Sequence, residues 1–135
     1  MAYIFLGLGL SRLDWSRSRS LWRLAAVGAL CAVVGYGGTA RTAYEAVRAA
    51  RADGIKVGFL RLKTIWPFAD AVVGRLADRV RSILVAELNY GQLVGEVTRA
   101  AHGTPVRPCL KYNMLDFTPQ EITAAIRQMS EEVRA

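Results

Sequence analysis

The chain predicts a three-layer α/β domain, helices on both faces of a mostly parallel sheet, and three observations lead there. Short, continuously apolar runs alternate with stretches whose apolar residues recur at helical spacing. The runs lack the in–out alternation of a half-solvated strand, so they read as strands covered on both faces. The connections between them are short, which favours right-handed β–α–β crossovers. With 135 residues and 53% hydrophobic content, the chain has material for one domain with a closed core and not for two.

The domain is expected to span residues 30–135, with residues 1–29 as a separate, poorly ordered segment. That segment begins Tyr3-Ile4-Phe5-Leu6 and continues into Arg-, Ser- and Trp-rich sequence. Arg17, Arg19 and Arg23 ahead of the apolar residues 24–34 imitate a secretory signal, yet the apolar run is only eleven residues, too short to span a bilayer. Leu30 before Cys31 is larger than a lipoprotein cleavage site accepts. The run also passes without a break into Leu30-Cys31-Ala32-Val33-Val34, the first core strand. A cytoplasmic protein is therefore expected.

Gly35, Gly37 and Gly38 close this first strand, and Gly38 or Thr39 caps a helix with Ala40, Ala43, Val47 and Ala50 inward. Arg41, Glu45, Arg48 and Arg51 form its wet face, and Gly54 ends it. Ile55–Leu60 reads as the second strand, and Val72, Val73, Leu76 and Val80 as the apolar stripe of the second helix. Ser82–Ala86 is the third strand, followed at once by a helix from Gly91 to His102. Val106–Leu110 reads as an edge strand, since Pro108 excludes a central one. The last helix is the best marked: Thr118 as N-cap, Pro119 at the first helical position, Glu121 closing a capping box and Phe117 stapled to Ile122.

Net charge is +7, of which residues 1–29 supply +3 from Arg12, Arg17, Arg19 and Arg23 against Asp14. The remaining 14 basic and 10 acidic residues are interspersed at helical spacing, unlike the gathered basic face with interleaved aromatics that phosphate binding demands. Neither a nucleic-acid nor a membrane partner is expected. Cys31 and Cys109, far apart and each within an apolar run, read as small buried hydrophobes; two Cys and one His cannot assemble a zinc or iron–sulfur site. His102 beside Gly103 reads as a helix C-terminal partner.

The strongest polar candidates follow the third strand. In Glu87-Leu88-Asn89-Tyr90-Gly91-Gln92 a carboxylate, an amide and a glycine stand at the carboxyl end of a buried strand, where α/β proteins place ligands. Two readings stay open for Glu87: a hydrogen-bonded structural or interface role with Asn89 and Gln92 as donors, or a part in a cofactor pocket shared with another subunit. Gly37-Gly38-Thr39 opens a helix and offers backbone amides to an anion, but the P-loop Lys-Ser/Thr pair and the third Rossmann glycine are missing, so a tight packing turn is the expected role. Trp66-Pro67-Phe68 reads equally as an interface anchor or a core plug. No catalytic residue, metal ligand or bound cofactor is expected of this chain alone.

Glu87-Leu88-Asn89-Tyr90-Gly91-Gln92, preceded by Thr64-Ile65-Trp66-Pro67-Phe68 and by Gly35-Tyr36-Gly37-Gly38-Thr39-Ala40-Arg41, resembles the C-terminal transketolase-like domain of the α subunit of 2-oxoacid:ferredoxin oxidoreductases, most of all the 2-oxoglutarate type. Glu87, Asn89, Gly91 and Gln92 stand on the family's acidic-Leu-Asn-x-Gly-Gln motif. The resemblance covers residues 30–127. It implies a mixed sheet, and an enzyme that decarboxylates a 2-oxoacid oxidatively with thiamine diphosphate and Mg, transfers the acyl group to coenzyme A, and passes electrons through iron–sulfur clusters to ferredoxin. It also implies that a thiamine-binding domain and the β subunit, absent from this chain, are its partners. This chain would then be a structural and assembly domain, either a fragment or a separately encoded subunit. Two alternatives are the related domain of a transketolase or 2-oxoacid dehydrogenase β chain, and a basic RNA- or membrane-surface module using residues 1–29.

Overall fold

The computed structural model describes residues 2–5, 30–113 and 115–135. In chain order the elements are β1 (Ala2–Phe5), β2 (Cys31–Tyr36), α1 (Thr39–Ala52), β3 (Val57–Leu62), α2 (Asp70–Ala77), β4 (Ser82–Glu87), α3 (Gln92–Ala100), β5 (Val106–Leu110) and α4 (Pro119–Arg134). The five strands form one sheet in the order β1-β3-β2-β4-β5. β2, β3, β4 and β5 run parallel, and β1 is antiparallel to β3, with Ala2 opposite Leu62 and Phe5 opposite Phe59. The backbone of Ala2–Phe5 thus joins the sheet, although it belongs to the segment that the sequence sets apart. The Arg-rich stretch and the signal-like run before Leu30 lie outside the described residues.

Alternate residues of each central strand feed two separate cores. Cys31, Val33, Val57, Phe59 and Leu84 point to α1 and α4, where Ala43, Val47, Ile122, Ile126 and Met129 meet them. Ala32, Val34, Leu60, Leu62, Ile83 and Val85 point to α2 and α3, against Val73, Leu76, Leu93 and Val97. Both faces of the sheet are therefore dry, which is why its strands are continuously apolar. Each fully buried Val, Leu, Ile or Phe contributes about 1.5–3 kcal/mol of transfer free energy.

Several strand boundaries differ from the sequence reading: β3 runs on to Leu62 and β4 takes in Glu87, and two further shifts have a clear cause. β2 runs on through Gly35 and Tyr36. A Cβ at Gly35 would stand 3.5 Å from the Ala40 Cα and 3.7 Å from the Ala43 Cβ, ordinary van der Waals contact, so α1 packs directly over this part of the strand. β3 begins at Val57 rather than Ile55. The Ile55 amide donates to the Ala50 carbonyl at 3.0 Å and the Gly54 amide to Arg51 at 2.9 Å, a Schellman closure of α1 that takes Ile55 into the helix end.

α4 starts as its cap residues dictate. The Glu121 amide donates to Thr118 Oγ1 at 3.3 Å and the Thr118 amide to Glu121 Oε2 at 2.7 Å. Phe117 and Ile122 are buried in the same cluster. α4 is tied to α1 by Thr123 Oγ1 donating to the Ala46 carbonyl and by an Arg127–Asp53 ion pair at 2.5 Å. At the outer edge of the sheet, β5 carries Pro108, as the edge assignment requires.

Candidate functional site

The chain order generates one crevice. From β2 the chain crosses α1 to β3 on one side, whereas β4, on the other side of β2, leads into α3 on the opposite face. The loops after β2 and β4 therefore diverge at the carboxyl edge, the switch point at which open α/β sheets bind their ligands. Gly37, Gly38 and Thr39 stand on one side of it; Glu87, Asn89, Gly91 and Gln92 stand on the other. Two motifs about fifty residues apart in the sequence thus stand at the same edge, joined by the Asn89–Tyr36 hydrogen bond.

Glu87 ends β4 and is completely buried. Its Oε1 accepts from the Leu93 amide at 3.1 Å and the Val94 amide at 3.1 Å, and its Oε2 from Leu93 at 3.1 Å. The partners are thus the first-turn amides of α3, not the side chains of Asn89 and Gln92 expected from the sequence. The reason is geometric: a buried helix start leaves amides without intrahelical acceptors and concentrates positive potential there, and a carboxylate satisfies both. Both oxygens of Glu87 are engaged by the start of α3.

Asn89 organises the loop itself. Its Oδ1 accepts from the Gly91 amide at 2.8 Å and the Gln92 amide at 3.3 Å, which folds the loop into the start of α3. Its Nδ2 donates to the Tyr36 hydroxyl at 2.9 Å, joining the loop after β4 to the end of β2. Burial pushes the Tyr36 phenol above its ordinary value and the nearby Glu87 charge adds to this, while the Asn89 hydrogen bond acts in the opposite direction. Gly91 sits at φ 98°, a left-handed conformation that an L side chain adopts only with strain. Gln92 is exposed at the first helical position.

On the other side of the crevice, Gly37 and Gly38 make the turn and Gly38 is the N-cap of α1, with no side-chain cap hydrogen bond. Thr39 is buried. The Trp66-Pro67-Phe68 loop follows β3 at the same edge. Phe68 is buried in the α2/α3 core beneath the Arg99 guanidinium, 5.9 Å from its ring. Trp66 is 79% exposed, and Pro67 is exposed beside it.

Cys31 is buried, and its thiol is pushed up to about 11 by that burial; Cys109 is half-buried in β5, its thiol raised for the same reason. His102 is exposed past the end of α3, on the opposite edge of the sheet from the crevice. Among the described residues no three His, Cys, Asp or Glu side chains come together to hold a metal ion. The donor set at the crevice does not fit thiamine diphosphate with its Mg: its one buried carboxylate is committed to α3, and the Gly37-Gly38-Thr39 turn carries no acidic side chain. What the sequence did not single out is the aromatic pair Tyr90 and Tyr112, whose rings stack with centroids 4.8 Å apart. Only the adjacency of β4 and β5 brings these residues together.

The model of the pyruvate:ferredoxin oxidoreductase core domain II matches residues 29–122. The chain belongs to that family. Curated members similar to it include the 2-oxoglutarate synthase subunit KorA of Methanothermobacter thermautotrophicus, 41% identical over 99 residues, covering 73% of this chain and 26% of the relative. The ketoisovalerate oxidoreductase subunit VorA of Pyrococcus horikoshii is 30% identical over 112 residues, covering 76% of this chain and 28% of the relative. This core domain II chain therefore spans about a quarter of the length of the curated relatives it matches. A solved 2-oxoglutarate:ferredoxin oxidoreductase from Magnetococcus marinus, with 2-oxoglutarate, coenzyme A and succinyl-CoA bound, superposes with a TM-score of 0.69 at 24% identity, over 76% of this chain and 18% of that one. A split-gene transketolase, solved as an inactive β4 tetramer, gives a TM-score of 0.63 at 18% identity, over 77% of this chain and 39% of that one. At those identities the two structures establish the fold: α/β, three-layered and transketolase C-terminal-like. The relatives are named as subunits of larger oxidoreductases.

Proposed function

We propose that this chain is the structural and assembly domain of a thiamine-diphosphate-dependent 2-oxoacid:ferredoxin oxidoreductase. The parent enzyme converts a 2-oxoacid, in our reading 2-oxoglutarate, and coenzyme A to acyl-CoA and CO2 while reducing ferredoxin. The observation that carries this reading is the state of the crevice: its family motif is present, yet Glu87 and Asn89 are spent on the start of α3 and on Tyr36. A domain whose motif polar groups are turned inward contributes shape and contact, leaving the chemistry to other parts of the enzyme. Those parts are the thiamine-binding domain and the β subunit, which in our reading also hold the Mg and deliver electrons through the iron–sulfur clusters to ferredoxin. The cytoplasm is the compartment this assignment requires. Among the described residues no helix is long and apolar enough to cross a membrane.

Reconstitution tests the reading. The full chain, tagged and co-expressed with the thiamine-binding polypeptides of the same organism's oxidoreductase, is expected to purify with them and to raise their 2-oxoglutarate- and coenzyme A-dependent reduction of ferredoxin. If the polypeptides assemble and turn over equally well without it, or if the chain alone decarboxylates a 2-oxoacid, the assignment fails.

A further inference from the structure

We draw no further inference here: the strongest candidate, the patch of exposed hydrophobic side chains in the loops after β3, β4 and β5 that includes Trp66 and the stacked Tyr90–Tyr112 pair, lies on the carboxyl edge of the sheet, and nothing in the structure shows what covers it.

Discussion

Replacing Glu87 tests whether the crevice is built for packing. In Glu87→Ala the Leu93 and Val94 amides lose their acceptor at a site where Glu87 is fully buried. A hydrogen bond to a charged group contributes about 1.5–3 kcal/mol, and a buried donor left without a partner costs about 1–3 kcal/mol. Water entering the truncated site recovers part of this, so the net loss for two amides is about 3–5 kcal/mol. Glu87→Gln keeps one acceptor oxygen, gives up the charge at the helix start, and aims an amide N–H at backbone donors, for about 1–3 kcal/mol. Urea unfolding followed by circular dichroism reads both, with an unchanged slope required so that the midpoint reports stability. At this chain length each 1 kcal/mol also lowers Tm by about 3–5 °C. If Glu87→Ala proved as stable as wild type, the capping role would be wrong, and the carboxylate would be free for chemistry after all.

Gly91→Ala meets a φ of 98° and a Leu110 Cδ1 atom 3.5 Å from the new Cβ, so thermal unfolding should show a loss of about 1–2 kcal/mol. Removing the Asn89 side chain in Asn89→Ala takes away the hydrogen bond that opposes the upward push on Tyr36; the Tyr36 phenol should titrate at still higher pH by NMR. Glu121 is held down to about 2, first by the Lys111 hydrogen bond and then by the Thr118 amide. A carboxyl depressed from its ordinary 4.5 adds stability above that value and loses it as pH falls towards 2. The acid-side decline of the urea midpoint should accordingly be shallower in Glu121→Gln than in wild type. Cys31, whose thiol is raised to about 11 by burial, should resist thiol reagents at pH 8 in the folded chain and react on unfolding.

The parallel strands and the four helices among the described residues were legible because both signals are local: two-sided burial writes a continuous apolar run, and one-sided helix burial writes a 3.6-residue stripe. Thr118, Pro119 and Glu121 even marked the first turn of α4. β1 was harder, since four residues at a sheet edge leave no period to read and Arg-rich sequence follows them. The end of α1 misled for a different reason. Ile55 looks like a strand residue by composition, but its amide is the last link of a helix closure, and only the backbone path reveals this. At the crevice, the sequence identified Glu87 as a buried carboxylate needing partners and assigned it the wrong ones. The signal lay in the spacing: the amides of a helix that begins five residues later are the donors a strand-end carboxylate meets first. Tyr90 and Tyr112 carried no local mark at all, because their contact depends on β5 lying beside β4.

The inward commitment of the polar groups and the outward display of the aromatic ones are linked through Asn89. Tyr90 sits between Asn89 and Gly91, and the Gly91 amide is bonded to Asn89 Oδ1 while Asn89 Nδ2 is bonded to Tyr36. The backbone on both sides of the ring is thereby fixed to two strands of the sheet, and the ring itself is held by Tyr112. Ordering a loose aromatic loop on association costs about 0.5–1.5 kcal/mol for each immobilised side chain. Here Tyr36, Asn89 and Tyr112 supply that ordering within the chain. The same polar motif that looks catalytic in the sequence thus orders the loop after β4 and the start of α3, and joins them to the end of β2.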